Sequence, residues 1–95
     1  MVVGCGRIIL RIHECRSLKE KRRVVKAVIA RVRNHFNASM AEIEDNDMYQ
    51  RAVIGVALVG NETGVVNAKL DKILDFVEAL GLAEMTDSEM EIIHL

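Results

Sequence analysis

Proline is missing from all 95 residues, where an average chain of that length carries about five. Its absence excludes a scaffold of rigid, proline-set loops and favours regular elements joined by short turns. Tryptophan is absent too, and only Phe36, Tyr49 and Phe76 are aromatic. The core must therefore be aliphatic, and no row of aromatic rings is available to stack unpaired bases as an RRM sheet does. No apolar run approaches the roughly 20 residues needed to span a bilayer. The opening MVVGC has the outline of a lipoprotein cleavage box, but no charged and apolar leader precedes it, so a cytoplasmic chain without membrane contact is expected. Cys5 and Cys15 are separated by a stretch that, if extended at about 3.3 Å per residue, exceeds the roughly 7 Å limit for a bridge. Two reduced thiols are the simpler expectation.

The patterns of established chemistries are also lacking. His13 and Cys15 could pinch a metal, but two ligands do not make a site, and His94 belongs to a strand ending far from them. Asp45-Asn46-Asp47 imitates the start of a calcium loop, yet Gln50 stands where its glycine belongs and Val56 where its last acid belongs. Cys15 has no evident base. Gly4, Gly6 and Gly64 fit neither standard phosphate-binding pattern. Glu42 and Glu44 alternate along one stretch and read as an exposed edge, not an acid/base pair. A chain without enzymatic activity, cofactor or metal is expected.

What the chain does have is segregated charge. Residues 1–35 hold ten Lys or Arg against two acids, a net of +8, whereas residues 36–95 hold three against twelve, a net of −9. One side of the surface then suits an anionic partner and the other repels it, unless the two halves serve head-to-tail self-association.

The basic half centres on Ser17 to Phe36. Leu18, Val25, Val28, Ile29, Val32 and Phe36 recur at helical spacing and form an apolar stripe. Lys19, Arg22, Lys26 and Arg33 fall together on its flank, with Arg23 just beyond. Ser17 is placed as an N-cap, with Glu20 three residues on completing a capping box. Glu20 is the only acid in this helix, whereas a merely solvated helix mixes signs to gain pairs one turn apart.

In chain order, Val2–Ile12 alternates as a strand, the helix follows, and Asn37–Glu44 is a second, weaker strand. Asp45-Asn46-Asp47 marks a turn. Arg51–Val59 is almost continuously apolar, as a central strand buried on both faces would be. Asn61 is placed to cap a second helix, with Glu62 in its first turn and a stripe of Val66, Leu70, Ile73, Leu74, Val77 and Leu80. Gly81-Leu82 suits a left-handed stop, and Glu89–Leu95 closes the chain as a strand.

This order, βαββαβ, predicts a single α+β domain over residues 1–95 with the ferredoxin-like fold. Right-handed crossovers place the four antiparallel strands as 4-1-3-2 with both helices on one face. Ile8, Leu10, Ile12, Ile54, Val56 and Leu58 then face the helices. Cys5, Arg7, Ile9, Arg11, Val53, Gly55, Ala57 and Val59 occupy the opposite face. Its apolar members (Cys5, Ile9, Val53, Gly55, Ala57 and Val59) suggest a homodimer formed sheet to sheet. Asn37, Ser39, Gln50 and Arg51 are expected to share one end of the sheet, either as a polar site or, the preferred reading, in structural roles, with Asn37 turning the chain after the helix and Arg51 paired to Glu42 or Glu44.

SLKEKRRVVK, NASMAE at residues 37–42 and YQRAVIGVALV at residues 49–59 together resemble the signature blocks of the YlxP-like proteins of bacteria. The resemblance runs over essentially the whole chain. It implies the fold already argued, and a cytoplasmic protein whose genes often lie among those for translation and ribosome maturation. It also singles out Lys19, Lys21, Arg22 and Arg23 with Asn37, Ser39, Glu42, Gln50 and Arg51. Tyr49 stands where relatives often have tryptophan.

The functional expectation is an accessory factor binding structured RNA or a ribosomal component through Lys19, Arg22, Arg23, Lys26 and Arg33. Recognition would be by backbone and shape, since the cationic flank carries no aromatic residues. A small-molecule-sensing regulatory domain and a homodimeric interaction module are the alternatives. An acylphosphatase-like enzyme is disfavoured, because the ECRS that follows the first strand does not resemble a phosphate cradle.

Overall fold

The alternation at the start of the chain forms β1 (Val2–Arg11), followed by α1 (Leu18–His35), β2 (Ser39–Glu44) and β3 (Arg51–Gly60). Helix α2 (Thr63–Leu80) and β4 (Glu84–His94) complete a computed structural model that describes every residue but Asn46. The turn expected at Asp45-Asn46-Asp47 thus lies partly outside the described residues. The strands pair antiparallel in the order β2-β3-β1-β4. This is the ferredoxin-like α+β arrangement that the element order predicted.

Ile8, Leu10, Ile54, Val56 and Leu58 point to the helices, where they meet Val25, Val28 and Val32 of α1 and Val66, Leu70, Ile73 and Val77 of α2. Each such side chain contributes about 1.5–3 kcal/mol relative to exposure, so an aliphatic core suffices without large rings. Helix α1 lies over β2, and α2 lies over β1, β3 and β4. The most basic element and the most acidic strand are therefore set towards opposite edges of the sheet.

The helix ends follow local chemistry, with two departures. Ser17 caps α1 by accepting from the backbone N–H of Glu20 at 3.1 Å, but the Glu20 carboxylate reaches back to the N–H of Arg16 at 2.9 Å, one residue beyond the expected capping-box partner. On α2 the cap is Glu62, not Asn61; its side chain makes no capping bond, and the first turn holds no acid. The chain enters this helix one residue later than the asparagine, and the Glu62 carbonyl accepts the first helical bond, from Val66 at 3.1 Å. Gly81 ends α2 with φ 66°, ψ 14°, a left-handed conformation that a side chain would strain.

Strand β4 begins at Glu84, five residues before the expected Glu89. Its inward residues include Met85 opposite Leu10 and Met90 opposite Gly6, an odd separation that breaks the period of two. A bulge between Ile9 and Leu10 absorbs the extra residue. Glu84, Asp87, Glu89 and Glu91 carry the charge of this edge strand, and carboxylates there oppose edge-to-edge pairing with another chain.

Candidate nucleic-acid interface

The order of apolar residues along α1 contains a charged member. Positions 18, 21, 25, 28 and 32 form one helical stripe, and Lys21 is as buried as Val25, Val28 and Val32. Its ammonium lies 2.8 Å from the Glu42 carboxylate and donates to the main-chain carbonyl of Asp45. The Glu42 oxygen nearest to it has no hydrogen bond of good geometry, so the attraction between the two is ionic. Burial of both groups makes this a clamp of α1 onto the β2–β3 hairpin. Lys21 cannot meet a partner from solution.

The other cations of α1 are unlike it. Lys19, Arg22, Arg23, Lys26 and Arg33 are all exposed. Among the described residues none of them has a carboxylate within ion-pair distance. Lys19, Arg22, Arg23 and Lys26 line one shallow hollow of about 330 Å³. Arg33 sits two turns on, so the strip is about 21 Å long at 1.5 Å per residue. The acid nearest in sequence, Glu20, is held to the Arg16 backbone instead.

Asn37, Ser39, Gln50 and Arg51 do not form one site, which corrects the sequence-based placement. Ser39 pairs with Ala57, while Arg51 pairs with Arg11 at the other end of β3. In an antiparallel hairpin the start of one strand faces the end of the next, and six residues of strand put about 20 Å between the two pairs. Asn37 and Ser39 instead line a hollow of about 360 Å³ with Arg33. They thereby extend the cationic strip.

Glu42 and Glu44 likewise part company. A bulge in β2 lets Ile43 and Glu44 share one partner position, so Glu42 faces inward opposite Ile54 and Glu44 faces outward opposite Val53. On the outer face Glu44 meets Arg7 at 3.2 Å, and Arg7 meets Glu89 at 2.8 Å on its other side. The Arg7 guanidinium thus links β4 to β2 across β1 and β3, while the space above Gly55, its register partner, is taken by the Ile43 side chain. Glu89, then Glu44, raise the pKa of Arg7 above its ordinary value. Arg51 pairs with Asp45, not with Glu42 or Glu44.

The outer face is also less apolar than its sequence implied. Val53 is fully buried within the single chain, and Cys5, Ile9, Gly55 and Ala57 are partly covered. Val59 and Ile93, neighbours of Val3 on either side, remain exposed. His13 contacts Glu84 at 2.7 Å and His94 contacts Thr63 at 2.8 Å. No group of three metal-ligating side chains occurs among the described residues, and no helix among them is long and apolar enough to cross a membrane.

Comparison with known proteins places this geometry in a family. The profile described as "Protein of unknown function (DUF503)" matches residues 3–90. The uncharacterized protein YlxP of Bacillus subtilis (strain 168) is 36% identical over 80 residues, which cover 84% of this chain and 87% of that protein. The chain belongs to the DUF503 family, in agreement with the signature blocks. Among solved structures, the de novo designed protein Foldit4 aligns with a TM-score of 0.54 at 13% identity, covering 100% of this chain and 99% of that one. That likeness concerns the fold alone.

Proposed function

We propose, with DUF503 membership as the premise, that this protein is a non-enzymatic cytoplasmic accessory factor that binds structured RNA or an RNA-bearing component of the translation machinery. The observation that supports this reading is the strip Lys19, Arg22, Arg23, Lys26 and Arg33, exposed along one helix flank with no carboxylate within ion-pair distance among the described residues. Such cations displace the counterions of a polyanion, and this supplies affinity without base readout. Asn37 and Ser39, next to Arg33, add neutral hydrogen-bonding groups suited to phosphate oxygens and ribose hydroxyls. The acidic β4 at the far edge of the sheet favours one orientation on the partner.

Filter binding of a structured RNA at increasing salt tests the reading. Five or six phosphate contacts predict a log–log slope of about −5. A variant with Arg22, Arg23 and Lys26 all changed to Glu that binds as tightly as the wild type would refute it.

A second copy of the chain on the outer sheet face is the other reading, favoured by the exposure of Val59 and Ile93. Sedimentation at micromolar concentration discriminates, since a monomer there removes it.

A further inference from the structure

Beyond the helix strip, we propose that the hollow under the β2–β3 hairpin binds a small organic anion, in which a carboxylate or phosphate group is attached to a flat apolar body. The hollow has a volume of about 640 Å³ and is bounded by Arg11, Met48, Tyr49, Gln50, Arg51 and Thr86. That volume lies within the ~300–1,000 Å³ range of small-molecule sites.

Two arginines set the charge preference. Arg11 and Arg51 are directly opposed on neighbouring strands, an arrangement that places like charges about 5 Å apart at Cβ and disfavours the empty pair. Each has unspent donors. Arg11 has Glu84 as its register partner on β4, but the Glu84 carboxylate is turned to His13 at 2.7 Å, and Arg11 has no ion pair among the described residues. Arg51 gives one terminal nitrogen to Asp45, and the rest of its planar fork has no other protein partner among the described residues. Asp45 is itself held in a left-handed conformation, φ 58°, with its carbonyl receiving the buried Lys21 ammonium. Arg51 is thus held in place before any ligand arrives. A carboxylate or phosphate between the two guanidinium groups would accept from both and relieve their repulsion. Asp47 also lines the hollow and disfavours a second negative charge on the ligand.

The apolar body is matched by two other residues of the lining. Met48 and Tyr49 are about half exposed, at 47% and 48%, although both are large and apolar. The phenol ring offers a stacking surface and the thioether an adaptable one. Gln50 closes the floor: its carbonyl accepts from the Ile12 N–H at 2.9 Å and its side-chain amide donates to the Cys15 carbonyl at 3.4 Å, so it is fixed and turned away. Thr86 adds a hydroxyl at the β4 side.

Anilinonaphthalene sulfonate, an aromatic anion of the required shape, is the probe for the full-length chain. Saturable one-site fluorescence is expected, weakened about tenfold or more in Arg11→Gln and in Tyr49→Ala. Both residues are exposed, and the dispersion of the amide spectrum verifies that each variant is folded. Amide shifts on titration are expected at residues 10–11, 47–51 and 86. Displacement of the probe by benzoate or by phenyl phosphate identifies the preferred head group and supports the site in either case. Displacement by neither, wild-type affinity in either variant, or shifts clustered at Val59 and Ile93 would overturn it.

Discussion

The flank of α1 and the outer face of the sheet both carry rows of arginine, and they use them in opposite ways. On the sheet, Arg7 is bracketed by Glu44 and Glu89, so its charge is spent within the molecule. On the helix, Lys19, Arg22, Arg23, Lys26 and Arg33 have no such bracket among the described residues. The difference arises from topology. A residue in a central strand is flanked by strands on both sides, and here the adjacent β4 presents Glu89 to Arg7 while β2, one strand further across β3, presents Glu44. A residue on the solvent flank of a helix meets only what its own sequence supplies one turn away, and α1 supplies almost no acid. A count of cations therefore says little about binding until the register is known. Lys21 makes the point from within α1, because it sits among free cations in sequence yet is locked inside the fold.

Four experiments break or sharpen this contrast. The largest effect is expected at the buried clamp. Glu42→Ala leaves the Lys21 ammonium inside the protein without its counter-charge, a cost of about 3–5 kcal/mol. In a domain of this size that lowers the melting temperature by roughly 15 °C or more, as calorimetry would record. Combining it with Lys21→Met should restore much of the loss, because the orphaned charge is gone. The triple change of Arg22, Arg23 and Lys26 to Glu comes next: RNA affinity at low salt falls about tenfold or more, and the salt slope becomes shallower by about three. Stability should hardly change, since these side chains form no ion pair among the described residues.

Val59→Asp is the third. If a second copy covers the outer face, sedimentation should show the dimer lost while RNA binding by the separate helix flank persists. The smallest effect is expected for Arg7→Gln, which removes the exposed brace: a slight loss of thermal stability and unchanged RNA affinity. Its pH signature is also defined. A guanidinium whose pKa is raised on folding contributes stability at every pH below its unfolded value and loses it only as pH rises through the folded one. The difference between wild type and Arg7→Gln should accordingly stay constant from about pH 7 to about pH 10, well below arginine titration.

Most of the architecture could be read from periodicity. Ile8, Leu10 and Ile12 alternate, and Val25, Val28 and Val32 step by three and four, because in both cases the core faces a single side of the element. Gly81 was legible as a helix stop for the same reason: a local rule with little tertiary competition. The failures have physical causes of equal clarity. The first half of β4 went unseen because it is an edge strand with a solvated face and a bulge that breaks the alternation of its methionines. Lys21 entered only with the basic block Lys19, Lys21, Arg22 and Arg23, although its place between Leu18 and Val25 puts it in the apolar stripe. A lone cation within such a stripe is the signal, and it demands a buried acid on the facing element. The grouping of Asn37 and Ser39 with Gln50 and Arg51 failed on strand polarity, whereas Lys19, Arg22, Arg23, Lys26 and Arg33 do lie along one flank. The juxtaposition of Arg11 and Arg51 carried no signal in one dimension, since it depends on pairing across forty residues.

The surplus residue of β2 has a consequence for what this hairpin can tolerate. Because Ile43 and Glu44 share one partner position, the acid before Ile43 turns in and the acid after it turns out, so one bulge serves both the inner clamp and the outer brace. Drawing Ile43 into regular pairing at unchanged length would bring both glutamates to one side of the sheet and sever one of these attachments. Removing Ile43 would instead make the two acids direct neighbours on opposite faces and leave both attachments in reach. A relative that pairs this position regularly should therefore lack the lysine in α1 or the arginine in β1, whereas one with a single-residue gap there can keep both.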